Sequence, residues 1–430
     1  MTARLIQNQF GARLPHIARG VGVWLIDTDG RRYLDGCSGA VVASIGHGHP
    51  DVVAAIREQA GRITYTHRGF FTDRALEEVA RELTDWTGYA GAWFVNSGSE
   101  AVEAAMQFTL QYHRERGQPQ RTEFSSFTRG YHGNTLGGLS LSGHVRRAVV
   151  GGLAWPFAEL PVPYRPPGAS PLGDAEFTAQ LLAEARAVLE RRADRLAGVV
   201  VEPVGGATLG ATVPPAGYLP GLHALCREFG ALLITDEVMS GLGRTGLPMA
   251  ARHWGVTADI AAVGKGLGAG YAPIAATLVG APVLEAIATG TGMIHGGHTY
   301  AGNPLSAAAA RAVLAVLRSE PVQRSGARAA ARLRPALDDL ATRHSMITDV
   351  RGRGLLLGLE LAADPGAAPG LTAARLREHA LAAGLLIYPA TGGFLDAVLV
   401  APPLTSTDAE IDELVRRLDR ALERADEQGG

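Results

Sequence analysis

Cysteine is nearly absent: Cys37 and Cys226 are the only two in 430 residues, and they lie far apart in the sequence. That excludes a disulfide framework and a cysteine-based zinc site, and it fits a reducing compartment. No segment approaches the roughly 18 uninterrupted apolar residues of a membrane span, and the first residues lack the apolar core of a secretion signal. A net charge of -2 gives no electrostatic argument for nucleic acid or an anionic membrane. The expectation is a soluble, cytoplasmic protein that engages neither. Lysine is scarce too, since most of the 40 Lys and Arg residues are Arg. What is plentiful is apolar and small: 47% of the chain is hydrophobic, enough for a substantial core, and 55 glycines mostly punctuate strand ends. The length allows about three domains, or two large ones.

Short β-like runs flank Thr28-Asp29-Gly30, a hairpin signal. Helical periodicity follows from Asp51 to Gln59, behind a turn containing His47 and His49, which have no third ligand nearby for a metal. A second helix from about Asp73 carries Leu76, Val79, Ala80 and Leu83 on one stripe and ends at Gly88. Ala92 to Val95 reads as a strand running into Asn96-Ser97-Gly98-Ser99 and a long helix. Such a helix start offers free N–H groups, two hydroxyls and the positive end of the dipole, which together suit a phosphate. Serine before a helix is also an ordinary N-cap. Glu123 to Phe127 is a further strand, and residues 151–174, rich in Pro and Gly, read as a long irregular crossing before a helix over 175–196.

Three apolar strands then end in Glu202, Asp236 and Lys265, with helical sequence between them. The alternation predicts a mostly parallel sheet, whose ligands sit at the carboxyl ends of its strands. Lys265, after Ile260 to Val263 and amid a glycine cluster, has two active readings and one bland one. A phosphate-binding loop fails, because it needs Gly at Asp259 and Ser or Thr at Gly266. A desolvated lysine of lowered pKa that attacks an aldehyde fits. The bland reading is a surface lysine in a turn. Beyond it, residues 307–343 read as one helix. Strands near 354–360, 385–388 and 398–400, with helices at 373–383 and 408–424, suggest a smaller α/β domain. A strand-end lysine for an aldehyde, a strand-end aspartate for a pyridinium nitrogen and a helix start for a phosphate are the three contacts pyridoxal phosphate needs.

On these residues the chain resembles the class III, or ω-amino acid, aminotransferases of fold type I. The motifs Asn96-Ser-Gly-Ser-Glu-Ala101, Tyr131-His-Gly133, Glu202-Pro203, Asp236 through Gly246, Gly264-Lys-Gly266 and Thr299 before Ala301-Gly-Asn-Pro304 occur in the family's order and span essentially the whole chain. The resemblance implies an α/β fold: a large domain with a mostly parallel seven-stranded sheet flanked by helices, plus a smaller α/β domain. It divides the chain into an N-terminal segment, 1–60, that joins the small domain, a cofactor domain, 61–306, and the C-terminal small domain, 307–430. It implies pyridoxal 5'-phosphate bound covalently by Lys265, with Asp236 on the pyridine nitrogen, and Val238 and Tyr131 on the two ring faces. Ser97, Gly98 and Ser99 would hold the phosphate, and Glu202 would border the cofactor. Thr299 would reach the phosphate of the partner subunit, making a homodimer the active unit.

The implied activity is transfer of an amino group from an amine, diamine or ω-amino acid donor to a 2-oxo acid or aldehyde acceptor, by a ping-pong route. An aminomutase or decarboxylase would use the same frame. Many relatives bind a carboxylate through an arginine where this chain has Leu399, or where it has Tyr388. Without either, Arg68 is the first candidate, in a pocket that Val41 and Tyr388 would also line. Glu202, lacking an arginine partner, is expected to meet a substrate ammonium, which favours diamines or basic ω-amino acids. Arg244 either holds its loop or touches substrate, while His132, Glu100 and Glu103 read as structural.

Overall fold

The protein is described by a computed structural model covering residues 4–8, 11, 14–166, 172–362, 371–390, 392 and 395–429. The chain opens with an antiparallel meander of β1 (Ile17–Val21), β2 (Trp24–Asp27) and β3 (Arg32–Asp35). Asp27 Oδ1 accepts the N–H groups of Asp29 and Arg31 at 3.0 and 2.8 Å, and Gly30 supplies the positive φ that the turn requires. Helices Pro50–Ala60 and Arg74–Thr87 follow. Asp73 caps the second through Leu76 N–H, and Gly88 ends it in the left-handed conformation.

The central sheet has seven strands: β4 (Gly91–Val95), β5 (Glu123–Phe127), β6 (Ala158–Leu160), β7 (Leu196–Val201), β8 (Leu232–Asp236), β9 (Ile260–Val263) and β10 (Ala275–Val279), in the order β4-β10-β9-β8-β7-β5-β6. Only β10 runs against the rest. Its two faces bury alternate residues, as the strand period of two demands. In β9, Ala261 and Val263 pack toward the core that includes Val313, Leu314 and Leu317, while Ile260 and Ala262 pack toward Ala104, Ala105 and Phe108. With β7, β8 and β9 parallel, the residues that follow their last apolar positions emerge at one edge.

The C-terminal part forms an antiparallel sheet of β11 (Ile347–Arg353) and β12 (Leu356–Leu361), joined by strands described next. β13 (Leu385–Leu386) leaves this sheet and pairs in parallel with β3, so a strand late in the sequence completes the N-terminal sheet. β14 (Tyr388–Pro389) and β15 (Ala397–Val400) return to give the order β11-β12-β15-β14. Helices Leu371–Ala382 and Asp408–Gly429 cover these strands.

Two expectations need correction. Residues 307–343 are not one helix but two, Pro304–Arg318 and Glu320–Arg343. The break falls at Ser319, whose ψ of 139° is extended, because Pro321 brings no N–H and stiffens the new first turn. The irregular crossing also contains β6 at the sheet edge, though residues 167–171 within it lie outside the described residues.

Candidate active site

Lys265 follows β9 and Gly264 and sits at φ +35°, a strained backbone value for a residue with a side chain. It is also the sole lysine in the chain. Around it, Gly98, Ser99, Tyr131, His132, Gly133, Glu202, Ala207, Asp236, Val238 and Met239 line one cavity of about 170 Å³. The topology thus gathers the three strand-end residues with the helix start and the Tyr-His-Gly turn.

Each wall has a physical origin. Ser97 caps the helix Gly98–Glu115 by accepting Glu100 N–H, which leaves the first N–H groups without intrahelical acceptors. Glu100 folds back onto the Asn96 N–H at 2.6 Å, and Glu103 accepts from Gly137 N–H at 2.8 Å. Both glutamates therefore shape the loops, as their sequence context implied. Gly98 must be glycine: a Cβ there would stand 2.7 Å from Val238 Cγ1. Ser99 Oγ accepts Asn134 N–H at 3.0 Å, and Gly133, at φ +111°, lets the two segments approach.

Asp236 closes β8. Its Oδ1 accepts Val238 N–H at 3.1 Å, and its Oδ2 lies 2.9 Å from His132 Nδ1. A carboxylate only accepts, so Nδ1 carries the proton. Burial alone would lower the pKa of His132, but the bond to Asp236 and the charges of Asp236 and Glu202 overcome it and raise the value. His132, expected to be structural, is a positioning partner of Asp236 through this hydrogen bond. Only its adjacency to Tyr131 in Tyr131-His132-Gly133 hinted at that role.

Glu202 follows β7 and is buried. Its Oε2 accepts Tyr131 N–H at 3.1 Å and its Oε1 accepts Gly206 N–H at 2.8 Å. Burial raises its pKa, with the Asp236 charge adding to the rise. Main-chain anchoring of the Tyr131 loop is therefore one duty of this carboxylate that the sequence did not reveal.

The remaining candidates are not among the residues lining this cavity. Val41, at φ +59° in the short helical turn Ser38–Val41 that follows β3, is buried. Tyr388 is half-buried and close enough to Tyr131, Arg146 and Cys37 to feel their charges. The Arg68 guanidinium stacks 4.8 Å over Trp93, outside the cavity of its own chain. Thr299 lines a separate cavity with Tyr65, Tyr300 and Asn303. Arg244 is fully buried and donates to the carbonyls of Leu355 and Pro402 and to Ser38 and Ser44, so it holds loops together.

The site suits pyridoxal phosphate. The first turn of the helix Gly98–Glu115, whose N–H groups have no intrahelical acceptors, borders the cavity where a phosphate would sit, and Val238 lines a wall that a planar ring would lie against. Burial lowers the Lys265 ammonium to about 8, against the opposing pull of Asp236 and Glu202. The neutral, nucleophilic amine is thus the minority form below that pH and the majority above it. Covalent loading of the apoprotein with pyridoxal phosphate is expected to quicken about tenfold per pH unit up to pH near 8 and then level off. Stopped-flow absorbance checks this. A rate still climbing toward the ordinary lysine value of 10.5 would mean a solvated amine.

The comparisons agree with this chemistry. The class III aminotransferase family model matches residues 7–422. The uncharacterized aminotransferase YodT of Bacillus subtilis (strain 168) is 39% identical, with 96% of each chain covered. An acetylornithine aminotransferase of Myxococcus xanthus is 37% identical over 92% of this chain and 90% of its own. A solved amine transaminase from an uncultivated Pseudomonas species, with pyridoxal phosphate bound, superposes with a TM-score of 0.90 at 33% identity, covering 98% of this chain and 99% of that one. With its one lysine at the carboxyl edge of a matching sheet, the chain belongs to the class III aminotransferases, enzymes that depend on pyridoxal phosphate.

Proposed function

We propose that this enzyme moves an amino group from an amine, diamine or ω-amino acid donor to a 2-oxo acid or aldehyde acceptor in a ping-pong sequence. The observation that carries the reading is the convergence of Lys265, Asp236 and the free N–H groups of Gly98 and Ser99 on one cavity. When bound there, pyridoxal phosphate supplies an electron sink for the carbon bearing the transferred amino group. Asp236, fixed by His132 and Val238 N–H, would hold the ring nitrogen and favour its protonated form. Tyr131 and Val238, which both line the cavity, would confine the ring from its two faces. Lys265 would serve as the base that takes the donor Cα proton and the acid that returns it.

The same reading takes the active unit as a homodimer in which Thr299 reaches the partner's phosphate site. The exposure of residues 291–300 and of the apolar Phe70, Phe71, Met293 and Tyr300 supports a covering second copy. We also propose that the chain divides at residues 60 and 306, which fits the pairing of β3 with β13, and that it works in the cytoplasm.

The test is an absorbance titration of the holoenzyme with single amines and no acceptor. Bleaching to the pyridoxamine form by some amines supports the reading, and their ranking names the donor class. An isomerised or decarboxylated product without bleaching would replace it with a mutase or decarboxylase. Glu202→Gln gives a second check. The amide turns an N–H toward an N–H donor, so a loss of about 1–3 kcal/mol of stability is expected. If the variant keeps the wild-type preference for diamines over monoamines, ammonium recognition by Glu202 is wrong.

A further inference from the structure

Two neighbouring arginines sit beside the Tyr131 loop in different states. Arg147 is engaged: it pairs with Glu159 at 3.0 Å and reaches the Trp155 carbonyl. The side chain of Arg146 makes no ion pair among the described residues. Its Nη1 donates to the Tyr131 hydroxyl at 3.3 Å, and its guanidinium carbon stands 6.0 Å from the Tyr131 ring centre. A turn in which Arg146 N–H donates to His144 Nδ1 at 3.1 Å sets the position of its backbone, and the His144 ring packs against Tyr131 with centroids 5.2 Å apart. Tyr388 is near enough to feel both Arg146 and Tyr131.

Tyr131 therefore spans from the cavity to a cation. Its ring lines the wall beside Lys265, and its hydroxyl ends at Arg146. A guanidinium has five N–H donors, and among the described residues the Arg146 side chain donates only to the Tyr131 hydroxyl. The free fork matches a carboxylate, the anion that such a planar group binds through two parallel bonds. Arg244 and Arg351 are not rivals, since both are buried in networks of carbonyls, hydroxyls or carboxylates.

We infer that Arg146, with the Tyr131 hydroxyl, forms a carboxylate-recognition site beyond the tyrosine wall of the cavity that selects ω-amino acid donors, whose carboxylate lies several carbons from the reacting amine. This rests on the proposed transamination and names the substrate class of the same cavity. The separation follows from the length of the tyrosine: its ring lines the cavity that Lys265 also lines, and its hydroxyl end meets the guanidinium. An α-amino acid, with amine and carboxylate on one carbon, cannot reach both.

The experiment compares ω-aminohexanoate with hexylamine as donors to the holoenzyme, in wild type, Arg146→Gln, Arg146→Lys and Arg147→Gln. The ratio of kcat/KM for the two donors is expected to fall roughly 10- to 100-fold in Arg146→Gln, mainly through KM, and by less in Arg146→Lys. Arg147→Gln, which removes an equal charge one residue away, should hold the wild-type ratio. Binding is read separately by calorimetry with unreactive hexanoate and hexanamide. Wild type should favour the carboxylate, and Arg146→Gln should lose that preference. If neither donor reacts with wild type while hexanoate binding still depends on Arg146, the transamination reading fails and the recognition site stands. An unchanged ratio, an equal loss on both donors, or the same loss in Arg147→Gln overturns the inference.

Discussion

Lys265→Ala is expected to lower kcat by at least about 10²–10⁴-fold, the usual contribution of a positioned proton-transfer group. The loss will be larger where covalent attachment also matters, because one amine serves both duties. Lys265 is the only lysine, so no neighbouring amine can take its place. Its backbone, at φ +35°, is held in a strained region between the sheet and the glycine turn, and that strain aims the side chain into the cavity. Two measurements check this. Borohydride reduction of the wild-type holoenzyme should mark a single peptide containing Lys265, and the variant should take up no reduced label. Single-turnover bleaching by a reactive amine should be slower by the stated factor. A variant that keeps wild-type turnover would remove Lys265 from the chemistry.

Asp236→Asn carries the second large effect, a fall in kcat of about 10²–10³-fold, as for the loss of one preorganised electrostatic contact. The asparagine fits the same space and can still accept the Val238 N–H. It cannot carry the negative charge that holds a proton on a pyridine nitrogen. His132 Nδ1–H then faces a neutral amide, and of the groups that raise the pKa of this buried imidazole only the Glu202 charge remains. Reconstitution with N-methylated pyridoxal phosphate, whose ring is cationic without a proton, should recover most of the lost rate in the variant. No recovery would mean that the aspartate works by packing alone.

The parts of the site that were legible in the sequence share one cause. Glu202, Asp236 and Lys265 each follow a run of β-branched or small apolar residues, so sheet topology alone brings them to one edge. The Ser97 cap and the Gly98 helix start were legible for the same local reason. What was hidden depends on contacts between distant segments. His132 beneath Asp236 and the Tyr131 loop hung from Glu202 need the fold before they can be seen. The missed strands have compositional reasons. β10 is built around Ala275 and Ala276, β11 carries Arg351, Gly352 and Arg353, and β6 has only three residues. The helix break at Ser319 was readable from Pro321, but the alanine-rich periodicity on both sides masked it.

The pairing of β3 with β13 has a consequence for synthesis on the ribosome. The partner of β3 emerges only after nearly all the intervening chain, so one edge of the N-terminal meander stays open through most of translation. Closing so long a loop costs little more entropy than closing a shorter one, since the cost grows logarithmically. The pairing is nevertheless late, and an open strand edge is a template for other chains. The exposed Arg31 and Arg32, at the start of β3, place positive charge on that waiting edge, as gatekeeper residues do.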